Sequence, residues 1–178
     1  DILDFSRIER GALELERIPF NLHELLQSSL QVFQHSAQQR GLQLLLDSQP
    51  GLEQLEVRGD PTRIRQILVN LIGNALDAMA AIPLPQLWLE GEQQGDKYRL
   101  RVRDNGHGID DEARKHLFEP FFTTKPGEHG LGLGLTLSAS LAAAAGGTLN
   151  VEHPASGGTA FVLSLPLVDA PTEPAESL

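Results

Sequence analysis

The clearest periodicity in the chain follows Asp60 and Pro61, where Ile64, Ile67, Leu68, Leu71, Ile72, Ala75 and Met79 recur in steps of three and four. That spacing predicts an amphipathic helix to about Ala80. Asp60 is its N-cap, and Pro61 takes the first position, where a missing N–H is harmless. A second helical stripe, Leu22, Leu25, Leu26, Leu30 and Phe33, follows Asn21 and ends at Gly41. Asn21 with Glu24 three residues on has the arrangement of a capping box. "LQLLLD" and "LEQLEVRG" predict short strands on either side of the turn "SQPG". "QLWLEGEQ" and "KYRLRVRDN" alternate apolar and polar residues, the mark of an antiparallel pair, here turning near Gly95. "GTLNVEHP" and "GTAFVLSLPL" predict another strand pair.

The stretch "HGLGLGLTLSASLAAAAGG" supports two periods. Taken in twos, Leu131, Leu133, Leu135 and Leu137 line one face of a strand; taken in fours, Leu133, Leu137 and Leu141 line one face of a helix. The alanine run decides for a helix, entered through Gly130, Gly132 and Gly134. Helices and hairpins in this order imply an α+β two-layer sandwich, with a mixed, mostly antiparallel sheet covered on one face by helices. The opening "DILDFSRIERGALEL" has helical spacing but little to pack on, so residues 1–18 are expected to be the tail of a helix begun upstream plus a linker. Residues 19–167 form the folded unit, and 168–178, acidic and Pro-containing, are expected to be disordered.

Composition narrows the function classes. The 178 residues carry a net charge of −10, a poor start for gripping a nucleic-acid backbone, so no nucleic-acid partner is expected. There is no cysteine, hence no disulfide and no thiolate metal site. No stretch has the length of a membrane span, and no membrane contact is expected of this fragment. A chain that begins at Asp1 is expected to be part of something longer.

Four stretches could carry chemistry. In "VRDNGHGI", Asp104 ends an alternating strand ahead of Gly106 and Gly108; a carboxylate there can accept from an exocyclic amine, although "NG" is also an ordinary turn. In "NLIGNALDAM", Asn70 and Asn74 share one helix face and offer hard amide oxygens suited to Mg²⁺, or are simply its polar side. "FFTTKPGEHGLGLGL" offers Thr123, Thr124, the cation of Lys125 and glycines ahead of a helix N-terminus, a setting for phosphate as well as for a plain loop. In "SGGTAFVLSL", Gly157, Gly158 and Thr159 put a small hydroxyl at the start of a strand.

The ordered set of Asn helix, Asp-x-Gly-x-Gly, Phe-rich segment, Gly-x-Gly-x-Gly and Gly-Gly-Thr resembles the N, G1, F, G2 and G3 boxes of histidine-kinase catalytic domains. It covers roughly residues 21–166. "FEPFFTTKPGEHGLGLGL" is similar to sensor kinases of the nitrogen-regulation and C4-dicarboxylate-sensing kind, and "DFSRIERG" looks like the end of a dimerisation and phosphotransfer hairpin. The resemblance implies the Bergerat sandwich shared with Hsp90, gyrase B and MutL, with ATP and Mg²⁺ as cofactors. Asp104 would take the adenine amine, with Gly106, Gly108, Ile109 and Thr159 around the base. Asn74 would hold Mg²⁺, with Asn70 and Asp77 nearby. Phe118, Thr123, Thr124, Lys125, Gly130, Leu131, Gly132, Leu133, Gly134 and Leu135 would close over the phosphates, with residues 123–133 as a mobile lid.

ATPases of this fold have Glu where Asn70 stands, and an amide cannot serve as general base. The expected reaction is therefore transfer of the γ-phosphoryl group to a histidine. None of His23, His35, His107, His116, His129 and His153 has a phosphoacceptor context, so the acceptor is expected on a hairpin ahead of Asp1. Expected partners are that hairpin, in a homodimer, and the receiver domain of a response regulator. The expected setting is the cytoplasmic portion of an inner-membrane sensor kinase. A hydrolytic ATPase, a non-catalytic nucleotide module and a serine kinase of the anti-sigma type share the fold and stand as alternatives.

Overall fold

Residues 6–7, 14–120 and 134–168 are described by the computed structural model of the chain. Most of the expected helix tail over 1–18 and the segment 169–178 lie outside them. Along the chain run β1 (Ile18–Asn21), α1 (Leu22–Gln31), α2 (Gln34–Arg40), β2 (Gln43–Ser48), a 3-10 turn (Leu52–Gln54) and β3 (Glu56–Gly59). Then come α3 (Pro61–Ala78), β4 (Gln86–Gln94), β5 (Lys97–Asp104), α4 (Asp111–Arg114), α5 (Gly134–Ala144), β6 (Thr148–Glu152) and β7 (Ala160–Pro166).

One sheet has the order β2-β4-β5-β7-β6; β2 pairs parallel to β4, and the other pairs are antiparallel. The expected mixed, mostly antiparallel sheet is therefore present. The two strands flanking "SQPG" do not meet each other: β2 is the edge of this sheet, while β3 pairs with β1 in a separate ribbon. The stretch expected as one strand over 52–59 begins as the 3-10 turn, with Leu52 buried.

The stripe expected as one helix from Asn21 to Gly41 is two. Asn21 caps α1 by accepting from Glu24 N–H at 2.9 Å, and Gly41 ends α2 in the left-handed region at φ 65°. Between them the chain bends at Val32 and Phe33, and the Phe33 ring lies 4.0 Å from where a Cβ on Gly73 of α3 would stand. That inward packing ends the first helix.

Strand alternation sorts β4 and β5 cleanly. Leu87, Leu89, Tyr98, Leu100 and Val102 point to the helices and are buried with Leu68, Leu71 and Ile72 of α3 and Leu137 and Leu141 of α5. The alternate residues form an ion-pair lattice on the other face. Arg103 stacks on Trp88 and pairs with Glu90 at 3.0 Å, while Arg99 joins Glu92 at 2.7 Å to Glu152 at 2.5 Å. Each such half-exposed pair is worth about 0–1 kcal/mol. The lattice therefore solubilises the uncovered face more than it stabilises the fold. No helix among the described residues is long and apolar enough to cross a membrane.

Residues 14–17 are stitched to the body. Glu16 N–H donates to Asp60 Oδ2 at 3.2 Å, Arg17 Nη2 to the Ala144 carbonyl at 3.0 Å, and Arg58 Nη1 to the Arg17 carbonyl at 3.4 Å. Asp60 Oδ1 meanwhile caps α3 by accepting from Thr62 and Arg63 N–H at 3.1 and 3.3 Å. Asp60→Ala removes all three bonds. It is expected to cost about 1–2 kcal/mol, read as a drop of several degrees in a thermal melt.

Candidate functional site

The period of two that buries Tyr98, Leu100 and Val102 also buries the next residue in step, Asp104, which is 2 % exposed at the end of β5. An ionisable group is there because the strand's alternation carries it inward. Its Oδ1 accepts from Gly106 N–H at 2.8 Å and Thr159 N–H at 3.3 Å. No donor among the described residues meets Oδ2. Burial pushes the carboxyl above its ordinary value, against the lowering pull of the Gly106 and Thr159 N–H groups and of His107.

Beside it, the Thr159 hydroxyl is buried without a partner. It is one of four such buried side-chain atoms among the described residues, with His23 Nδ1, Tyr98 Oη and Arg101 Nε. Of these it is the one that lies next to a half-used carboxylate, a pairing that a ligand or water can complete.

Two glycines shape this floor. A Cβ on Gly106 would stand 2.6 Å from the Ala78 carbonyl, and one on Gly158 only 2.0 Å from the Asp104 carbonyl, with φ at +76°. The Asp104 turn is thereby pressed against the C-terminal end of α3, and His107 N–H donates to Ala78 O at 3.4 Å.

Eight residues earlier on α3, about 12 Å along its axis, Asn70 Nδ2 donates to Ser138 Oγ at 3.1 Å. A Cβ on Gly134 would lie 2.6 Å from Asn70 Oδ1, so any larger first residue of α5 would push this amide aside. Asn74 lies one turn on from Asn70, between the two contacts, and Asp77 is exposed near the helix end. Ile109, Phe118 and Leu135 are half-buried against the core around the same region. The Phe118 carbonyl accepts from Thr136 Oγ1 at 2.8 Å.

The helix with its amide mid-way, the buried carboxylate at one end and the second helix starting beside the amide all lie in a part of the chain that matches a known family. Residues 59–169 match the family described as histidine kinase-, DNA gyrase B-, and HSP90-like ATPase. The chain belongs to that family.

Among the family's curated members, the sensor protein GacS of Pseudomonas syringae pv. syringae is 36% identical over 186 residues, 100% of this chain and 20% of that protein. The C4-dicarboxylate transport sensor protein DctB of Pseudomonas aeruginosa is 45% identical over 112 residues, 62% of this chain and 18% of that one. The chain thus spans about a fifth of the length of these relatives. Among solved structures, the catalytic domain of histidine kinase ThkA superposes with a TM-score of 0.76 at 30% identity, covering 85% of this chain and 95% of that one. Family and structural neighbours together make this a histidine-kinase-type catalytic domain of an ATP-using family.

Of the residues singled out in the sequence, the fold brings Asp104, Gly106 and Thr159 to one floor and Asn70 and Gly134 to one contact. Gly108, at φ +78°, lies with its would-be Cβ 3.4 Å from the Gly158 carbonyl. Thr123, Thr124, Lys125, Gly130, Leu131, Gly132 and Leu133, with the expected lid over 123–133, lie outside the described residues. The sequence pattern overlooked Thr136 and Ser138, two buried hydroxyls on α5. Their signal was a Thr-x-Ser, followed by Ser140, inside a helix otherwise of Leu, Ala and Gly.

Proposed function

We propose that residues 19–167 are the ATP-binding catalytic part of a sensor histidine kinase. They transfer the γ-phosphoryl group of ATP to a histidine on a dimerisation hairpin, for onward transfer to a response-regulator aspartate. The observation that carries this is the pairing along α3 of a polar floor at one end, Asp104 with the orphaned Thr159 hydroxyl, and an amide, Asn70, against the start of α5. Asp104 Oδ2 accepts from the adenine amine, Thr159 Oγ1 completes the polar edge, and Gly106 and Gly158 let the backbone pack closely enough to hold that edge in place. Asn70, Asn74, Lys125 and the glycines ahead of α5 serve the phosphates.

Among the described residues no cluster of three or more His, Cys, Asp or Glu could hold a metal by itself. The amide donors fit Mg²⁺ shared with phosphate oxygens, with Asn74 as the protein ligand. Bound there, the ion would neutralise charge on the triphosphate. The step itself is in-line. A neutral imidazole nitrogen bonds to the γ-phosphorus as the bond to the β–γ bridging oxygen breaks, ADP leaves, and the imidazole sheds its proton from the other nitrogen. Asn70 cannot take a proton from water, so hydrolysis is slow and the phosphoryl group is kept for the histidine. ATP and a receiver domain are cytoplasmic, and we place the domain there, as the inner part of a membrane-bound sensor kinase.

Incubating the chain with γ-labelled Mg-ATP and a separately supplied hairpin is expected to label the hairpin histidine, with little phosphate released in its absence. Confirmed ATP binding without a labelled histidine would overturn the proposal, and steady phosphate release without the hairpin would make the domain a hydrolytic ATPase.

A further inference from the structure

We propose that Ser138 is a positioning residue that fixes the orientation of the Asn70 carboxamide against the first turn of α5. This rests on the reading of Asn70 as part of the phosphate end of the site.

α5, "GLTLSASLAAA", is apolar nearly all round, so hydrophobic burial alone specifies its rotation and axial position poorly. Its buried hydroxyls supply what the leucines and alanines do not. Thr136, 8 % exposed, ties one side of the helix to the Phe118 carbonyl at 2.8 Å. Ser138, 2 % exposed, faces the other way and accepts from Asn70 Nδ2 at 3.1 Å. Gly134 and Ser138 are four residues apart and therefore stack on one face of α5. Together they form a notch: Gly134 supplies the space, since its Cβ would stand 2.6 Å from Asn70 Oδ1, and Ser138 supplies the acceptor.

An amide has two chemically opposite ends, and only one can face the helix start. With Nδ2 committed to Ser138, Oδ1 is the end turned to Gly134, and no donor among the described residues meets it. Asn70 thus presents an acceptor at the helix N-terminus, suited to a metal-bound water or an N–H. If it swung round, it would present a donor to the same place. Without the Ser138 hydroxyl, Nδ2 loses this acceptor and the carboxamide is held less firmly against the start of α5.

The test uses this chain without nucleotide first. In ¹⁵N NMR spectra the Asn70 side-chain NH₂ is expected to give two separated proton signals with slow solvent exchange, and Ser138→Ala to speed that exchange by at least about tenfold. Ser138→Cys keeps the volume but weakens the acceptor. It should give an intermediate exchange rate, and it stands in if Ser138→Ala fails to fold. With the hairpin and saturating Mg-ATP, Ser138→Ala is expected to slow phosphotransfer about tenfold while KM for ATP moves less than about twofold. Adding it to Asn70→Ala should cost nothing further. A folded Ser138→Ala with unchanged amide exchange overturns the inference, as do losses that multiply with those of Asn70→Ala. If Ser138→Ala frees the amide but Asn70→Ala leaves transfer intact, the positioning stands and the phosphate-end reading of Asn70 falls.

Discussion

Asp104→Asn is expected to weaken ATP binding about 100-fold while leaving the fold intact. The two side chains have nearly the same shape, and the difference lies in which oxygen is already taken. Oδ1 accepts from Gly106 and Thr159 N–H, and the asparagine oxygen would stay with those donors. What then faces the ligand is an NH₂ group, set against the exocyclic amine of adenine: two donors where there had been a donor and an acceptor. Stability should move the other way.

Burial raises the Asp104 pKa in the folded state. Its favourable contribution is therefore complete below the ordinary carboxylate value and is lost as pH rises through the raised value. Above the ordinary carboxylate value the wild-type protein bears the cost of either burying the charge or holding a proton on this carboxyl, a cost the amide does not have. Melting curves from pH 4 to 8 should show Asp104→Asn matching or exceeding wild type at pH 7, with the advantage shrinking towards acid. Titration calorimetry with Mg-ATP reads the affinity. Unchanged affinity would remove Asp104 from the base site.

Gly158→Ala should be far more damaging to the fold. Its Cβ would stand 2.0 Å from the Asp104 carbonyl oxygen, a main-chain atom between β5 and β7 that cannot swing aside, and φ is +76°. A cost of about 3 kcal/mol or more, or roughly 6–12 °C in Tm, is expected. Gly157→Ala next door is the control. It shares the left-handed conformation, at φ +93°, but nothing lies within 4 Å of its added carbon, so only backbone strain of about 1 kcal/mol remains. Equal melts for the two would mean that the close approach under the Asp104 strand is not what fixes this turn.

Long elements with a strong period were legible from sequence. α3 and the β4–β5 hairpin appear where their apolar spacing puts them, because each buries one face against a single core. The short elements were not. β1 exists through its pairing with β3, Ile18 opposite Gly59, a partner no local window contains. α4 rests on Asp110 accepting from Ala113 N–H at 2.7 Å, a cap that looks like any acidic loop until the chain is folded.

The site divides in the same way. Asp104 could be read from strand alternation and its glycines, whereas Ser138 is one serine in an alanine-rich helix until Asn70 arrives from 68 residues away.

α3 and α5 lie antiparallel. Gly59, just before α3, approaches Ala145, just after α5, with a would-be Cβ contact at 3.8 Å, while Asn70 meets Gly134 and Ser138 at the other end. Glu16 and Arg17 hold the first of these ends, one through Asp60 and the other through the Ala144 carbonyl. The Glu16 and Arg17 contacts and the Asn70 contacts thus lie at opposite ends of α5. The joint at this end is made by two side chains, Arg17 and Asp60, that lie apart from Asp104, Asn70 and Gly134.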